Sequence, residues 1–437
     1  MFTSLYGTDA VETERRRYAA LAEGMSAQAG FPVEYSSTGK NIRLFSAPGR
    51  AELGGNHTDH NRGRVLAASI QMDAVAAVVP RGDRQVFFRS TGFPDVRVNL
   101  DGKDGKPDLS PKPEEQGTTE SLARGIAAGF ARRGITLGGF SANASSTVLP
   151  GSGLSSSAAA ETLLAAIFNS LYGGGQCSAL ELAQICQKAE NDYFGKPSGL
   201  MDQAASAFGG VVAIDFADPA APLVIRIEFD PQAAGFALCV VNTRGSHADL
   251  TPDYAAIPRE MNAVARHFGK SFLREVDFSQ VLSNAGELRK SAGDRALLRA
   301  IHFFNEDRRA GAMADLLQKW TAAADTEKQG LMGQFLDLVN ESGDSSWELL
   351  QNLYSPQTTH EQGLSLAIAV SREFFREQKI QAACRVHGGG FAGTIQAYIP
   401  LDGLESYRRR VEALFGPGAL TVLRIRPVGA IELPFFS

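Results

Sequence analysis

A mixed α/β fold built as two domains is what this sequence predicts, on three observations. The chain has 437 residues, too many for one ordinary hydrophobic core. Its 44% hydrophobic and 21% charged residues are the balance of a soluble globular protein. Apolar, β-branched runs and helical periodicity also recur throughout its length, with no internal repeat or low-complexity tract.

The same composition excludes several classes. Lys+Arg 43 against Asp+Glu 48 gives a net charge of −5, which offers no footprint for nucleic acid or anionic lipid. The opening "MFTSLYGTDAVETERRRYAA" lacks the apolar core of a secretory signal. No apolar run is long enough to span a bilayer. Cys177, Cys186, Cys239 and Cys384 are scattered without a CxxC pair, so they read as reduced thiols, and a cytoplasmic location is expected.

Taken in order, the opening segment to about residue 40 has helical spacing, and "IRLFSAPGR" reads as a strand running into a loop. "RVLAASIQMDAVAAVVP" and "QVFFRSTG" are strands, because apolar β-formers dominate both. Residues 101 to 118, rich in Pro and Gly, predict an exposed connection. "TESLARGIAAGFARRG" is helical with Thr119 as a candidate cap, and Ser178 caps a later helix, "SALELAQICQKAENDYFG". After "SGLMDQAASAFGG" the pattern turns to strands, "VVAIDF", "LVIRIEF" and "FALCVVNT". Helices dominate from 254 to 380, and "GTIQAYIP" and "LTVLRIRP" return as strands. A boundary near residue 208 divides the expected domains into 1–207 and 208–437.

Two segments carry chemistry. "PGRAELGGNHTDHNRG", 48 to 63, sets an arginine, two histidines, an aspartate and Asn56 among glycines, more hydrogen-bonding capacity than a turn needs. "LPGSGLSSSAAAE", 149 to 161, opens an apolar helix. Its glycines permit close backbone approach, and the free N–H groups and dipole at the helix start favour phosphate. A plain Gly/Ser turn with a serine cap would look the same. It is not a Walker A loop, because no lysine follows the glycines, nor a GxGxxG fingerprint, because Ser156 stands at the third glycine.

With "CRVHGGGFAGTIQAYIP", 384 to 400, these segments resemble in order and spacing the three motifs of the GHMP small-molecule kinases. "GNHTDHN" and "AENDYFGKPSGLMDQ", 189 to 203, are similar to segments of the galactokinase branch. "RAIHFFNEDRR" and "NESGDSSWELLQNLYSP" match family helices more weakly. The resemblance implies the two-domain GHMP kinase fold, with the active site in the cleft between the domains. It implies transfer of a phosphoryl group from ATP, with Mg²⁺, to the anomeric hydroxyl of galactose. The implied partners are a sugar and ATP, with no nucleic acid, membrane or protein partner.

The resemblance also implies roles. Asp202 is the catalytic base and Arg50 the cation that keeps it ionised and faces the phosphoryl group; a buried ion pair without chemistry is the bland alternative. Asn56, His57, Asp59, Gly199 and Tyr254 are the implied sugar contacts, with residues 56 and 57 near carbon 6. Gly151, Ser152, Gly153, Leu154, Ser155, Ser156 and Ser157 form the phosphate cradle, and Gly388, Gly389 and Gly390 let the second domain close on the ligands. Ser157 and Glu190 are the implied Mg²⁺ contacts.

Some positions depart from the family. Asn56 stands where galactokinases usually carry glutamate, Gly343 replaces a typical histidine, and His60 replaces a common tyrosine. Losing the carboxylate at 56 lowers the cost of binding a sugar acid such as galacturonate. A 1-kinase for galacturonate or N-acetylgalactosamine, and a non-catalytic galactose and ATP sensor, are therefore the alternatives. The complete "GLSSSAAAE" with Arg50 and Asp202 favours catalysis, and "NHTDHN" argues against homoserine or mevalonate.

Overall fold

The structure is a computed structural model that describes residues 1–25, 42–102, 105–148, 153–196, 198–245 and 250–434. Two sheets organise it. The first contains β1 (Arg43–Gly54), β2 (Arg64–Pro80), β3 (Gln85–Ser90), β4 (Val96–Asn99), β5 (Phe140–Ser146), β6 (Val211–Asp215) and β7 (Leu223–Ile227). The second is β8 (Phe236–Asn242), β9 (Ala383–His387), β10 (Thr394–Pro400) and β11 (Leu420–Leu423). The last strand, β12 (Ile431–Leu433), returns to the first sheet.

The first sheet runs β12-β1-β2-β5-β3-β4, with β6 and β7 added beside β2, and the second runs β11-β8-β10-β9. All pairs are antiparallel except β3 with β5. β6 and β7 lie beyond residue 208 yet hydrogen-bond into the first sheet. The hairpin "VVAID…LVIRI" continues the pairing edge of β2 at Arg64–Ala68. The chain therefore changes sheets between Ile227 and Phe236.

Residue alternation ties the sheets together. Ala237, Cys239 and Val241 of β8 enter the core under the helices Gly363–Gln378 and Leu404–Phe415. Their neighbours Leu238 and Val240 enter the large core shared with the first sheet. The strand period of two thus assigns the faces of one strand to different cores.

Helices cover the first sheet. Ser156–Leu171 and Met201–Phe208 pack on β1 and β2, and Phe168 at 0% exposure sets its ring edge against Phe140. Ala179–Ala189 starts at a capping box in which Ser178 and Glu181 satisfy each other's backbone N–H, as its sequence predicts. The earlier helix, Thr119–Ala131, is capped by Thr118 and not Thr119. No helix among the described residues is long and apolar enough to cross a membrane.

β1 is longer than its sequence suggests, continuing through "PGRAELG" to Gly54. Pro48 cannot donate to the ladder, and β1 and β2 slip register between Pro48 and Arg50. The Arg50 N–H donates to the Leu154 carbonyl at 3.0 Å. The irregularity in "PGR" thus fastens the first motif to the second.

Candidate active site

The second motif enters its helix through two left-handed residues, Gly153 at φ 73° and Ser155 at φ 58°. A Cβ on Gly153 would stand 3.1 Å from Thr394 Oγ1 and 3.2 Å from His387 Nδ1, so the second sheet closes on the loop here. Leu154 is buried, Ser155 and Ser156 are half-buried, and Ser157 is exposed in the first turn. Gly151 and Ser152 lie outside the described residues.

Arg50 and Asp202 meet as a two-pronged ion pair. Arg50 Nε donates to Asp202 Oδ1 at 2.7 Å and Nη2 to Oδ2 at 3.0 Å. Arg50 Nη1 also donates to the Gly153 carbonyl, and Ser155 Oγ donates to Asp202 Oδ2. Arg50 is 6% exposed, whereas the Asp202 side chain keeps 32% of its surface. Burial pushes the Asp202 carboxyl up, but Arg50, Ser155 and Lys196 outweigh it and hold it below the ordinary carboxylate range. The result is an ionised carboxylate, fixed from two sides and accessible on another.

Glu190 is buried, accepting from Lys196 Nζ at 2.7 Å and Gln203 Nε2 at 2.8 Å. The same Gln203 nitrogen donates to Glu161 Oε2 at 3.0 Å. Burial first, and then the Glu190 charge, push Glu161 up to about 8. Glu161 Oε1 is buried without a hydrogen-bond partner. Lys196, between Gly195 and the helix start, and Glu161, closing the "SSSAAAE" run, were not singled out by sequence reasoning. Their positions inside the motifs were the available signal.

Of the expected sugar residues, His57 and Tyr254 meet the third motif, while Asp59 and Gly199 meet each other. His57 Nε2 bonds the Gly389 carbonyl at 2.9 Å, and burial lowers its ring to about 3. Tyr254 donates its hydroxyl to the Gly390 carbonyl at 3.0 Å, and a Cβ on Gly389 would stand 2.6 Å from the Tyr254 ring. Asp59 accepts from the His60 N–H at 2.9 Å, with the His60 ring 3.7 Å away. A Cβ on Gly199 would stand 1.9 Å from Asp59 Oδ2. Gly199→Ala is therefore expected to displace the Asp59 carboxylate. On the sugar contact that the resemblance implies for Asp59, losing one charge-assisted hydrogen bond predicts a rise of about 10- to 100-fold in KM for the sugar. KM for ATP should stay within about threefold, because the phosphate loop is untouched; steady-state kinetics on both substrates checks this.

Asn56, which the resemblance implies near carbon 6 of the sugar, is 0% exposed. Its Nδ2 donates to Glu52 Oε1 at 3.0 Å and to the Gly388 carbonyl at 2.7 Å. Its Oδ1 accepts from Asn352 Nδ2 at 2.9 Å and Ser346 Oγ at 3.4 Å. An amide offers two donors and two lone pairs, and these four bonds engage all of them.

The helix Asp294–Ala322, carrying "RAIHFFNEDRR", supports this turn from behind. His302 Nε2 meets the Asn56 carbonyl at 2.9 Å, and Glu306 Oε1 accepts the Gly55 N–H at 3.0 Å. Their spacing of four places them on one helix face, a signal readable in the sequence only after the partner turn is known. Gly343 lets its helix approach β9, since a Cβ there would stand 2.9 Å from the Cys384 carbonyl.

Known proteins resemble this chain in sequence and in fold. A family model for the GHMP kinases N terminal domain matches residues 121–210, and one for the galactokinase galactose-binding signature matches residues 29–80. A galactokinase of Streptomyces coelicolor is 30% identical over 382 residues, covering 87% of this chain and 91% of its own. A galactokinase of Mycobacterium tuberculosis is 30% identical over 375 residues, covering 82% and 89%. In fold, the structure of Lactococcus lactis galactokinase complexed with galactose superposes with a TM-score of 0.74 at 24% identity, covering 95% of this chain and 99% of that one. A mevalonate kinase superposes with a TM-score of 0.57 at 14% identity, covering 87% and 98%. The motifs that the fold brings together and the near full-length match to curated relatives lead to one conclusion: the chain belongs to the galactokinase family of GHMP kinases.

Proposed function

We propose that this kinase transfers the γ-phosphoryl group of ATP to the anomeric hydroxyl of galactose, giving α-galactose 1-phosphate. The observation that carries the reading is Asp202, ionised and partly open, clamped by Arg50 and Ser155 beside Gly153 of the phosphate loop. Asp202 accepts the proton of the sugar hydroxyl as the new O–P bond forms. Arg50 holds the carboxylate in place and sets a positive charge near the oxygens where negative charge develops. The sugar lies against Asp59, His57, Gly199 and Tyr254, which all meet the chain near Gly389 or each other. The first domain supplies the sugar turn and phosphate loop, and the second supplies the glycine-rich closure and Tyr254.

Mg²⁺ fits the residues present. Among the described residues no three His, Cys, Asp or Glu side chains cluster around a common point. An ion that arrives on nucleotide phosphates needs only one or two protein oxygens. The exposed Ser157 hydroxyl and the Glu190 carboxylate would supply these, with Lys196 as the displaceable partner of Glu190. When bound, the ion neutralises phosphate charge. The cysteines, all free thiols, support a cytoplasmic setting.

The test is ADP release with Mg·ATP against galactose, galacturonate and N-acetylgalactosamine in parallel. Preferred turnover of galactose is expected. Preference for either other sugar by tenfold or more, or binding of galactose and ATP without turnover, would refute it.

A further inference from the structure

We propose that Asn56 is a positioning residue: with Glu52 and Arg385 it locks the first-motif turn onto the glycine-rich third motif, and it leaves carbon 6 of the sugar unread. The inference rests on the proposed sugar kinase activity.

The lock joins three distant segments. From its place after β1, Asn56 reaches back four residues to Glu52, across to the Gly388 carbonyl, and out to Ser346 and Asn352. Asn352 Nδ2 also donates to the Gly389 carbonyl at 3.1 Å, whose oxygen is the one bonded by His57. Arg385 of β9 completes the cluster. Its Nη2 donates to Glu52 Oε1 and its Nη1 to the Leu53 carbonyl at 3.1 Å. The Glu52 N–H meets His387 Nε2 at 3.2 Å, and Gln396 Nε2 donates to the Glu52 carbonyl at 2.9 Å. The backbone that carries His57 and Asp59 is thus pinned to the backbone that carries Gly388, Gly389 and Gly390.

Charge explains why an amide stands at 56. Glu52 is 3% exposed and the Arg385 side chain 0%, so one carboxylate and one guanidinium share a dry site. A carboxylate at 56 would face Glu52 Oε1 across the 3.0 Å now spanned by the amide. It would also lose the donor to Gly388. Two anions at that distance, with the Glu306 carboxylate a third beside the Asn56 N–H, repel strongly even with Arg385 close by. The carboxylate of this cluster belongs at 52, and position 56 has to donate.

The arrangement is reciprocal, which gives the experiment. Asn56→Asp alone is expected to lower kcat for galactose by at least about tenfold, the size of a coupled contact. The pair Glu52→Gln with Asn56→Asp removes the repulsion between two carboxylates, though not the loss of the donor to Gly388, and should recover at least about threefold over the single variant. If Asn56→Asp does not fold, recovery of folding in the pair supports the lock equally. Asn56→Ser provides the separate readout. It should leave the ratio of kcat/KM for galactose over 6-deoxygalactose within about twofold of wild type. A change of about tenfold in that ratio would mean that residue 56 reads carbon 6, and the proposal falls. It also falls if the paired variant is no better than the single one in either activity or melting temperature. Should the wild type turn over no galactose, the kinase reading fails by itself, and the melting temperatures of the same variants still decide whether 52 and 56 are coupled.

Discussion

Asp202→Asn is expected to lower kcat on galactose by about 10²- to 10⁴-fold, the contribution of a positioned general base. The substitution keeps the shape of the side chain and removes its basicity. Arg50 then faces an amide in place of a carboxylate while 6% exposed, so a lower melting temperature should accompany the loss. Calorimetric binding of galactose and ATP, measured well below that temperature, should persist and so separate lost chemistry from lost folding. The wild-type pH profile carries a related expectation. Arg50, Ser155 and Lys196 hold Asp202 below the ordinary carboxylate range against the effect of burial. Its deprotonated form therefore predominates at neutral pH. The acid limb of kcat/KM that belongs to Asp202 should lie below that of an ordinary carboxylate. A variant retaining more than about a tenth of wild-type kcat would remove Asp202 from the base role.

Much of this site was legible in the sequence, for a physical reason. Phosphate loops and sugar turns are short, local and constrained by glycine, so their residues lie close together in the chain. Gly153 and Ser155 share one loop, whereas Arg50 and Asp202, 152 residues apart, are legible each within its own short motif; the four converge in the fold, and β2 spans the apolar run "RVLAASIQMDAVAAVVP". What lay beyond reach depends on contacts between distant segments. Nothing local tells that Asn56 turns inward, because its partners Gly388 and Asn352 lie some three hundred residues away. Nor does local pattern show that β6 and β7 join the first sheet, since a strand's partner is set by the whole fold. Glu52 left one trace, an acidic residue inside the otherwise buried strand "RLFSAPGRAELG". A buried carboxylate implies a buried cation, but sequence alone could not say that the cation is Arg385.

That pair makes the other large effect. Arg385→Met is expected to cost about 3–5 kcal/mol of stability, the usual penalty for stranding one partner of a buried ion pair. Its charge is enclosed on every side: the side chain is 0% exposed, and among the described residues its only anionic partner at hydrogen-bond distance is Glu52. Burial already pushes the Glu52 carboxyl up, against the opposing pull of Arg385, Arg50 and the Asn56 amide. Without Arg385 it rises further, so Glu52 takes a proton in the folded variant that it releases on unfolding. The folded state then binds more protons than the unfolded one above the ordinary carboxylate range, and its stability must fall as pH rises. The deficit of the variant relative to wild type should accordingly be smallest on the acid side, where Glu52 is protonated in both folded proteins, and grow by up to ~1.4 kcal/mol per pH unit between the raised wild-type value and the higher one of the variant. Urea unfolding followed by the fluorescence of Trp320 and Trp347 at several pH values measures it. Adding Glu52→Gln to Arg385→Met should flatten that pH dependence and recover much of the loss, because the neutral amide can still meet Asn56 and no charge is stranded. A deficit independent of pH, unaffected by Glu52→Gln, would show that Arg385 acts through packing and its carbonyl contacts and not through the charge of Glu52.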